Sequence, residues 1–424
     1  MFLSLIFSIS TFALDQKLAD YIKEFEMTSM EAPAPKREAL YTLGQNLFFD
    51  RELSGKGNIN CAMCHMPPMG TGDGMPLSLG EGFTGGGMNR RQNTAAILLR
   101  NSPPLYNLGV SGIPHLFWDG RVSQDEKGWL TPESALNGED PEYKDIASTL
   151  DSLLSVQALF PIADPAEMLG QGSPLTRKAA WENALERILK GARAAEYKVL
   201  FEKAYGSQTY NIAHISNAIA EFQRHAFHSA ESPWDHYLQG DLTAMNLEMK
   251  KGAVVFMEKG QCANCHNGMH LSAMDFDSVG TPHLGIAGRD DLGRMSVTGD
   301  PEDRDMFRVS PLRNIALTAP YMHNGVFATL WEVIDFYNRP EEVLMSMVWS
   351  RTLTHYNQPL MIDQDPIRQA ERLAAIAADM PRNPGLTQTE QEELWCFMVK
   401  GLTDVRLHTQ IQRLLEQNPR CQAN

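Results

Sequence analysis

The pentapeptide Cys-x-x-Cys-His occurs twice in this chain, as Cys-Ala-Met-Cys-His at residues 61–65 and as Cys-Ala-Asn-Cys-His at residues 262–266. It is the attachment sequence of c-type haem, in which both thiols bind the haem covalently and the histidine binds the iron. Two complete copies among six cysteines are far more specific than one, and no further Cys or His pairs suggest structural metal sites instead. The predicted attachment residues are Cys61, Cys64, Cys262 and Cys265, and the predicted proximal ligands are His65 and His266.

Length and charge limit the architecture and the partners. At 424 residues the chain exceeds the usual size of one core, and its two motifs lie far apart. We expect a leader at 1–13, cytochrome c-like domains at 14–240 and 241–405, and a tail at 406–424. With 37 Lys and Arg against 52 Asp and Glu, the net charge is −15. This balance argues against nucleic acid and anionic membranes, and favours basic partners of a soluble protein.

The N-terminal residues 2–13 are mostly apolar and end in small side chains, as in a secretory signal cleaved near Ala13. The run is too short to span a bilayer. A buried N-terminal helix is the alternative. Export agrees with c-type haem, which bacteria attach outside the cytoplasm, so we expect a periplasmic protein. In such an oxidising compartment Cys396 and Cys421 can form a disulfide, although two free thiols also fit.

Apolar residues at helical spacing predict a mainly α fold with extensive irregular loops. The region 142–228 is helical in pattern, and its last helix is expected to end before Ser232-Pro233. A further helix, beginning near residue 242, leads into the second haem motif. The capping box at 387–390 begins another. The Gly-, Met- and Pro-rich stretch 66–113 is expected to be loop around a haem.

Three further blocks carry the strongest family signal: Phe-Trp-Asp-Gly-Arg at 117–121, Phe-Arg-Val-Ser-Pro-Leu-Arg-Asn at 307–314, and Thr-Ala-Pro-Tyr-Met-His-Asn-Gly at 318–325. With two haem motifs in this order, the chain resembles the bacterial di-haem cytochrome c peroxidase superfamily over most of its length, and within it the MauG-like enzymes. The resemblance implies that hydrogen peroxide binds at the first haem and that the second haem stores one oxidising equivalent. Together they would hold a two-electron-oxidised state shared by two Fe(IV) centres.

Two positions distinguish the chain from conventional peroxidases of this superfamily. Those proteins block the first haem with a His where this chain has Glu81, so the resemblance implies an open first haem, unless His115 reaches the iron. They bind the second iron with a Met where MauG-like enzymes, and this chain, have a Tyr. Tyr337 is therefore the expected sixth ligand of the second iron, and Met322 and Met345 are the alternatives.

The same resemblance implies roles for other residues. Trp118 matches a Trp that relays electrons between the haems. Gln157, Pro161 and Glu167 match the distal pocket, where Gln157 and Glu167 would position peroxide and Glu167 would move its proton during O–O cleavage.

A calcium ion between the domains is also implied. Its ligands would be Asn101 and the backbone carbonyls of Thr318 and Pro320, completed by waters. Asn93 is a competing match to Asn101, because Arg-x-Asn occurs at both places.

One departure limits the MauG analogy. MauG has a Trp two residues before its second haem motif, through which electron holes leave toward a protein substrate, and this chain has Gly260 there. Trp331, Trp234 and Trp395 are the alternatives for such an exit.

Three functions are consistent with these features. The first is a MauG-like oxidase that modifies an aromatic residue, in the first place a tryptophan, of a partner protein. The second is a peroxidase that reduces hydrogen peroxide with electrons from a small cytochrome or cupredoxin. The third is a plain electron-transfer di-haem cytochrome, which would need strong ligands on both faces of both irons.

Overall fold

Helices and irregular loops dominate the computed structural model, which describes residues 2–125, 128–286, 289–347, 353–378 and 380–422. The helices are α1 (Phe2–Glu24), α2 (Glu38–Phe48), α3 (Cys61–Cys64), α4 (Ser134–Asn137), α5 (Lys144–Thr149), α6 (Leu153–Ala163), α7 (Arg177–Lys190), α8 (Ala194–Tyr205), α9 (Ile212–Ala226), α10 (Pro233–Leu238), α11 (Leu247–Met257), α12 (Met295–Thr298), α13 (Leu330–Asn338), α14 (Pro340–Ser346), α15 (Pro366–Ala374), α16 (Gln388–Cys396) and α17 (Gln412–Leu415). The predicted mainly α class is confirmed.

The strands are short and form small antiparallel sheets. They are β1 (His115–Leu116), β2 (Val122–Asp125), β3 (Gly128–Leu130), β4 (Phe276–Asp277), β5 (Leu284–Gly285), β6 (Phe307–Arg308) and β7 (Met361–Ile362). β1, β2 and β3 form one sheet, β4 pairs with β6, and β5 pairs with β7. The stretch 66–113, described throughout, is loop with a few short turns, as its composition predicts.

Local sequence signals place several helix ends. Thr387 caps α16. Its hydroxyl accepts a hydrogen bond from the backbone amide of Glu390, and the Glu390 carboxylate accepts one from the backbone amide of Thr387. This is the predicted capping box. Asn211 caps α9, whose apolar face is buried.

Two predicted boundaries need correction. Ser232-Pro233 lies after the end of α9, but it also begins α10, with Ser232 as the cap and Pro233 in the first turn. Proline is favoured there because its missing N–H has no partner in the first turn of any helix. The next helix begins at Leu247 after the cap Asn246, and not near residue 242.

Buried apolar side chains form two clusters, one for each haem motif. The first spans residues 40–227 and the second spans 234–421. Leu18, Met27 and the buried apolar residues of 75–97 pack into the second cluster, although they lie in the N-terminal half of the chain. The structure thus has two cores with an exchanged segment, and the limits of the two domains stay a prediction.

The two cores share one feature, a glycine where two helices cross. A Cβ on Gly44 of α2 would lie 1.8 Å from the carbonyl oxygen of Ala218 on α9. A Cβ on Gly252 of α11 would lie 1.9 Å from the carbonyl oxygen of Glu393 on α16. Only glycine allows such approaches, and in each half the crossing helix is the one that precedes the haem motif.

The chain termini pack on the second core. Helix α1 runs without a break to Glu24, its Leu18 is fully buried, and Asp15 pairs with the buried Lys250 at 2.6 Å. Cleavage of the leader 1–13 stays a prediction, and residues 1 and 423–424 of the predicted leader and tail lie outside the described residues. No helix among the described residues is long and apolar enough to cross a membrane.

Cys396 and Cys421 form a disulfide, which settles the question left open by the sequence. Their Cα atoms are 5.4 Å apart and both side chains are fully buried. The bond joins the end of α16 to the C-terminal tail.

Ion pairs connect the two halves of the chain. Arg100 donates to both carboxylate oxygens of Asp291, at 2.6 and 2.7 Å, and to Asp119 at 2.6 Å. All three side chains are largely buried. Burial alone would raise the pKa of the two carboxyl groups, but their contacts with Arg100 hold it below the usual range. This arrangement fixes the loop that carries Trp118 against the C-terminal half.

Candidate active site and haem centres

The first haem motif forms the short helix α3, followed directly by His65. The Nδ1 atom of His65 lies 3.0 Å from the carbonyl oxygen of Thr71. Such a bond orients the ring and leaves Nε2 to bind a metal. Burial lowers the pKa of His65, so its imidazole is held in the neutral form that metals bind.

A buried arginine beside this motif fits a haem carboxylate. Arg90 is fully buried, its Nη2 donates to Asp73 at 2.6 Å, and its Nη1 lies 3.6 Å from Cys64 Sγ. Its Nε has no hydrogen-bond partner among the described residues. A buried donor without a partner is costly, and an anionic group bound at the motif would satisfy it.

The second motif repeats the arrangement of the first. The Nδ1 atom of His266 lies 3.0 Å from the carbonyl oxygen of Leu271, and burial lowers the pKa of His266 to about 4. Cys262, Cys265 and His266 all line a cavity of about 210 Å³ with mostly apolar walls. Two thiols and a neutral imidazole on one apolar cavity fit a covalently attached haem.

Tyr337 lies in this second cavity. It extends from α13, and burial, together with the neighbouring Cys262 and Cys265 thiols, raises the pKa of its phenol. Met322 lines the same cavity, whereas the side chain of Met345 is 58% exposed. Exposure to solvent is incompatible with an axial ligand in a buried cavity, so Met345 is excluded as a candidate.

Glu81 is held away from a ligand role by its own partners. Its buried carboxylate accepts hydrogen bonds from Lys56 Nζ at 2.9 Å and from Asn58 Nδ2 at 2.7 Å. His115, the other candidate for blocking the first haem, packs its ring against Phe276 at a centroid distance of 5.1 Å. Its ring thus contacts the C-terminal half of the chain, while its backbone pairs with Ser123 of β2.

Trp118 lines the second cavity, and its loop also contacts the first half of the structure. Its indole Nε1 donates to the carbonyl oxygen of Asn101 at 2.9 Å, and its ring lines the second cavity. The preceding residue, Phe117, packs on Phe160 of α6, the helix that carries the predicted distal residues. Consecutive residues of one loop thus contact both halves of the structure.

Gln157 and Pro161 lie on α6 and Glu167 lies just beyond it. Gln157 is buried, and the amide of Met168 donates to the carbonyl oxygen of Pro161 at 3.1 Å, which folds the segment back on the helix. Burial and the charge of Asp164 raise the pKa of Glu167 to about 7. Burial raises the pKa of the Cys64 thiol, and the charges of Asp73 and Glu167 add to that rise.

The predicted calcium ligands line one cavity. Asn101, Thr318 and Pro320 all line the cavity that also holds Trp118. Asn101 is buried, whereas the competing Asn93 is exposed. The geometry therefore favours Asn101, and its neutral oxygens suit calcium.

Comparisons with known proteins identify the family of this chain. A family model described as di-haem cytochrome c peroxidase matches residues 38–243. Cytochrome c551 peroxidase of Nitrosomonas europaea is 30% identical over 333 residues, which are 77% of this chain and 83% of that protein. The chain belongs to the di-haem cytochrome c peroxidase family. It is therefore a di-haem oxidoreductase that acts with hydrogen peroxide, and its cofactors are two c-type haems.

Other members of the family are equally similar to this one. The methylamine utilization protein MauG of Methylorubrum extorquens is 29% identical over 311 residues, 72% of this chain and 71% of MauG. A crystal structure of a MauG-like protein associated with microbial copper homeostasis has a TM-score of 0.62 and 27% identity, covering 89% of this chain and 95% of that one. Relatives of both names thus match at similar identity.

Gly260, two residues before the second haem motif, has little room for a side chain. A Cβ at this position would lie 2.8 Å from the carbonyl oxygen of Val255, so a larger residue requires the backbone to move. The three tryptophans that are candidates for the exit differ in their stacking partners. Trp331 and Trp395 stack on each other at 5.3 Å and 9°, whereas Trp234 stacks on Tyr237.

The buried arginine pairs were missed by sequence reasoning. Arg90 and Arg100 look like ordinary basic residues in the sequence, and their partners lie 17 to 191 residues away. The only usable signal was an arginine within a stretch otherwise rich in Gly, Met and Pro.

Proposed function

We propose that this enzyme is MauG-like and uses hydrogen peroxide to oxidise an aromatic residue, in the first place a tryptophan, of a partner protein. The observation that carries the proposal is Tyr337 in the cavity of Cys262, Cys265 and His266. An anionic, hard phenolate oxygen stabilises oxidised iron, whereas a Met ligand raises the potential and favours reduced iron. Tyr337 thus suits a haem that stores an oxidising equivalent.

The distal residues supply the proton chemistry. Each haem contributes one oxidising equivalent when peroxide is reduced. Cleavage of the O–O bond needs a proton on the leaving oxygen, and Glu167, with a pKa of about 7, both holds and releases a proton near neutral pH. Gln157 offers an amide donor and acceptor from α6, and Pro161 shapes the wall beside it.

Trp118 couples the two sites. Its indole N–H is bound to the Asn101 carbonyl, which fixes the ring at the second cavity. The buried Arg100 pairs hold this loop in place. Asn101, Thr318 and Pro320 would hold a calcium ion in the same region, which would stabilise the position of Trp118 further. We place the enzyme in the periplasm, where its haems are attached.

An EPR spectrum of the ferric protein, before and after one equivalent of peroxide, tests the proposal. We expect one high-spin and one low-spin haem, and both signals should decrease without prior reduction. The high-spin signal reports the open first haem and the low-spin signal reports the His266 and Tyr337 site. Two low-spin haems that ignore peroxide until half-reduced would contradict the proposal.

Modification of a protein is tested separately. The co-encoded proteins are incubated with the enzyme and peroxide and analysed by mass spectrometry for oxygen addition or cross-links at Trp and Tyr. Peroxide without the enzyme is the control. Failure to modify any of them would refute the protein-oxidising role.

The second candidate is a cytochrome c peroxidase, favoured by the name and 30% identity of the Nitrosomonas relative. Fast, sustained peroxide reduction with a reduced small cytochrome or cupredoxin, and no modified protein, would favour it.

A further inference from the structure

The stacked tryptophans Trp395 and Trp331 lie next to the second haem cavity. Trp395 follows Leu394 on α16, and Trp331 follows Leu330 on α13. Both leucines line the cavity, as do Ile334 and Tyr337, one and two turns further along α13. The two helices that support the rings are thus also walls of the cavity.

The pair extends from the core to the surface. Trp395 is 1% exposed, and Trp331 is partly exposed. Their ring centroids are 5.3 Å apart and the ring planes differ by 9°, so the π-systems are in direct stacking contact. Two stacked indoles share a positive charge, which makes them easier to oxidise than either ring alone.

The other aromatic path from the cavity is less suitable. Phe256 lines the cavity, contacts Phe397 at 5.6 Å, and Phe397 contacts Trp234 at 5.3 Å. Phenylalanine is far harder to oxidise than tryptophan, so two Phe rings interrupt this path. Trp234 is also fully buried, and at Gly260 there is no aromatic ring.

We propose that Trp395 and Trp331 form the exit through which oxidising equivalents pass from the second haem to a partner protein docked over Trp331. This inference rests on the proposed function and names the route that it requires. The partner donates two electrons, one at a time, through Trp331 and then Trp395. Hydrogen peroxide accepts these two electrons with two protons and becomes two molecules of water. The electrons balance whether they come from one residue of the partner protein that loses both or from two reduced carrier proteins that lose one each.

The experiment compares the loaded wild-type enzyme with Trp331→Phe and Trp395→Phe. Phenylalanine keeps an apolar aromatic ring at the site but is not readily oxidised. Trp234→Phe, another buried tryptophan of the same core, is the matched control. Each variant is first checked for its haem spectrum and its melting temperature, and Trp331→Phe is the safer variant for folding because its side chain is partly exposed.

The first readout is oxidation of the enzyme itself. Excess peroxide is added without a donor, and oxygen addition is mapped by peptide mass spectrometry. Trp331 should be a principal site in wild type and in Trp234→Phe, because a hole that reaches the surface there finds no partner. In Trp395→Phe the modification of Trp331 should decrease by about tenfold, equivalent to about 1.4 kcal/mol in the barrier.

The second readout is electron delivery from a reduced, basic cytochrome c to the peroxide-treated enzyme in stopped flow. Delivery should slow by about tenfold in both route variants and remain at the wild-type rate in Trp234→Phe, while the first reaction with peroxide is unchanged in all of them. Equal delivery rates in wild type and both route variants, together with equal Trp331 modification in wild type and Trp395→Phe, would overturn the route alone. Absence of any reaction between wild type and peroxide would overturn the proposed function and this route with it.

Discussion

Replacing Glu167 by Gln should separate the proton chemistry of the first haem site from its structure. Gln has the same shape and hydrogen-bonding reach but neither binds nor releases a proton in the working range. If Glu167 delivers the proton to the leaving oxygen of peroxide, the variant should bind peroxide normally and cleave it slowly. General acid–base groups contribute about 10²- to 10⁴-fold, so the rate should decrease by that factor near pH 6.

The pH dependence of the cleavage rate gives a second, more specific magnitude. With a pKa of about 7, the Glu167 carboxyl is largely protonated at pH 6 and loses its proton as the pH rises. The protonated fraction falls about tenfold per pH unit above the pKa, so at pH 9 the wild-type rate should be about a hundredfold lower than at pH 6. The Glu167→Gln rate should be flat over the same range, because no titrating acid remains.

Neighbouring charges provide a second, directional test. Beyond the effect of burial, Asp164 raises the pKa of Glu167 and Arg121 lowers it. Asp164→Asn keeps the side-chain acceptor that binds the amide of Ala166 but removes the negative charge. The midpoint of the pH profile should therefore move to lower pH in this variant.

The assay is stopped-flow absorbance of the ferric enzyme mixed with excess peroxide between pH 5.5 and 9.5. Glu202→Gln, at an exposed site in α8, controls for the loss of a carboxylate elsewhere. A wild-type rate independent of pH, or a Glu167→Gln rate equal to wild type, would refute the role of Glu167.

Three further predictions use the second half of the chain. Tyr337→Met should raise the reduction potential of one haem only, measured by spectroelectrochemical titration, because a Met ligand favours reduced iron; two unchanged potentials would exclude Tyr337 as a ligand. Asp235→Ala should destabilise the protein by about 3–5 kcal/mol, because the buried Arg313, which pairs with Asp235 at 2.5 Å, loses its carboxylate partner. The double variant Asp235→Ala with Arg313→Met should lose less stability in thermal unfolding, and an equal or larger loss of stability would contradict this explanation. Replacing Cys396 and Cys421 by Ser should cost about 3.5 kcal/mol, since the disulfide closes a loop with a sequence separation of 25; an unchanged urea midpoint would argue against a formed disulfide.

Features encoded within a few residues were predictable from the sequence. The haem motifs, the helix of residues 212–226 and the capping box of Thr387 and Glu390 each depend on neighbours along the chain. The role of Ser232-Pro233 was only half predicted, because the pair not only follows the end of α9 but also begins α10. A breaker signal indicates where a helix stops, whereas the conformation of the next segment depends on how that segment packs.

Features that join distant segments were not predictable in this way. Asp291 reaches Arg100 across 191 residues, and Tyr356 hydrogen-bonds the backbone of Leu77 across 279. The choice between a disulfide and free thiols at Cys396 belongs to the same class, because it depends on where the tail folds back. Sequence spacing carries no information about such pairs when loops of irregular structure lie between them.

The three tryptophans show why the proposed exit route could not be chosen from the sequence. In the sequence Trp331, Trp395 and Trp234 could not be ranked, since each is a tryptophan within a predicted helical region and nothing along the chain shows which rings meet. In the structure only Trp331 and Trp395 combine stacking on each other, helix neighbours that line the cavity and a path to solvent. Because Gly260 cannot take a ring without moving the backbone at Val255, the proposed exit has to lie elsewhere. The stacked pair on α13 and α16 meets that need with two oxidisable rings, and it does so without changing the haem motif itself.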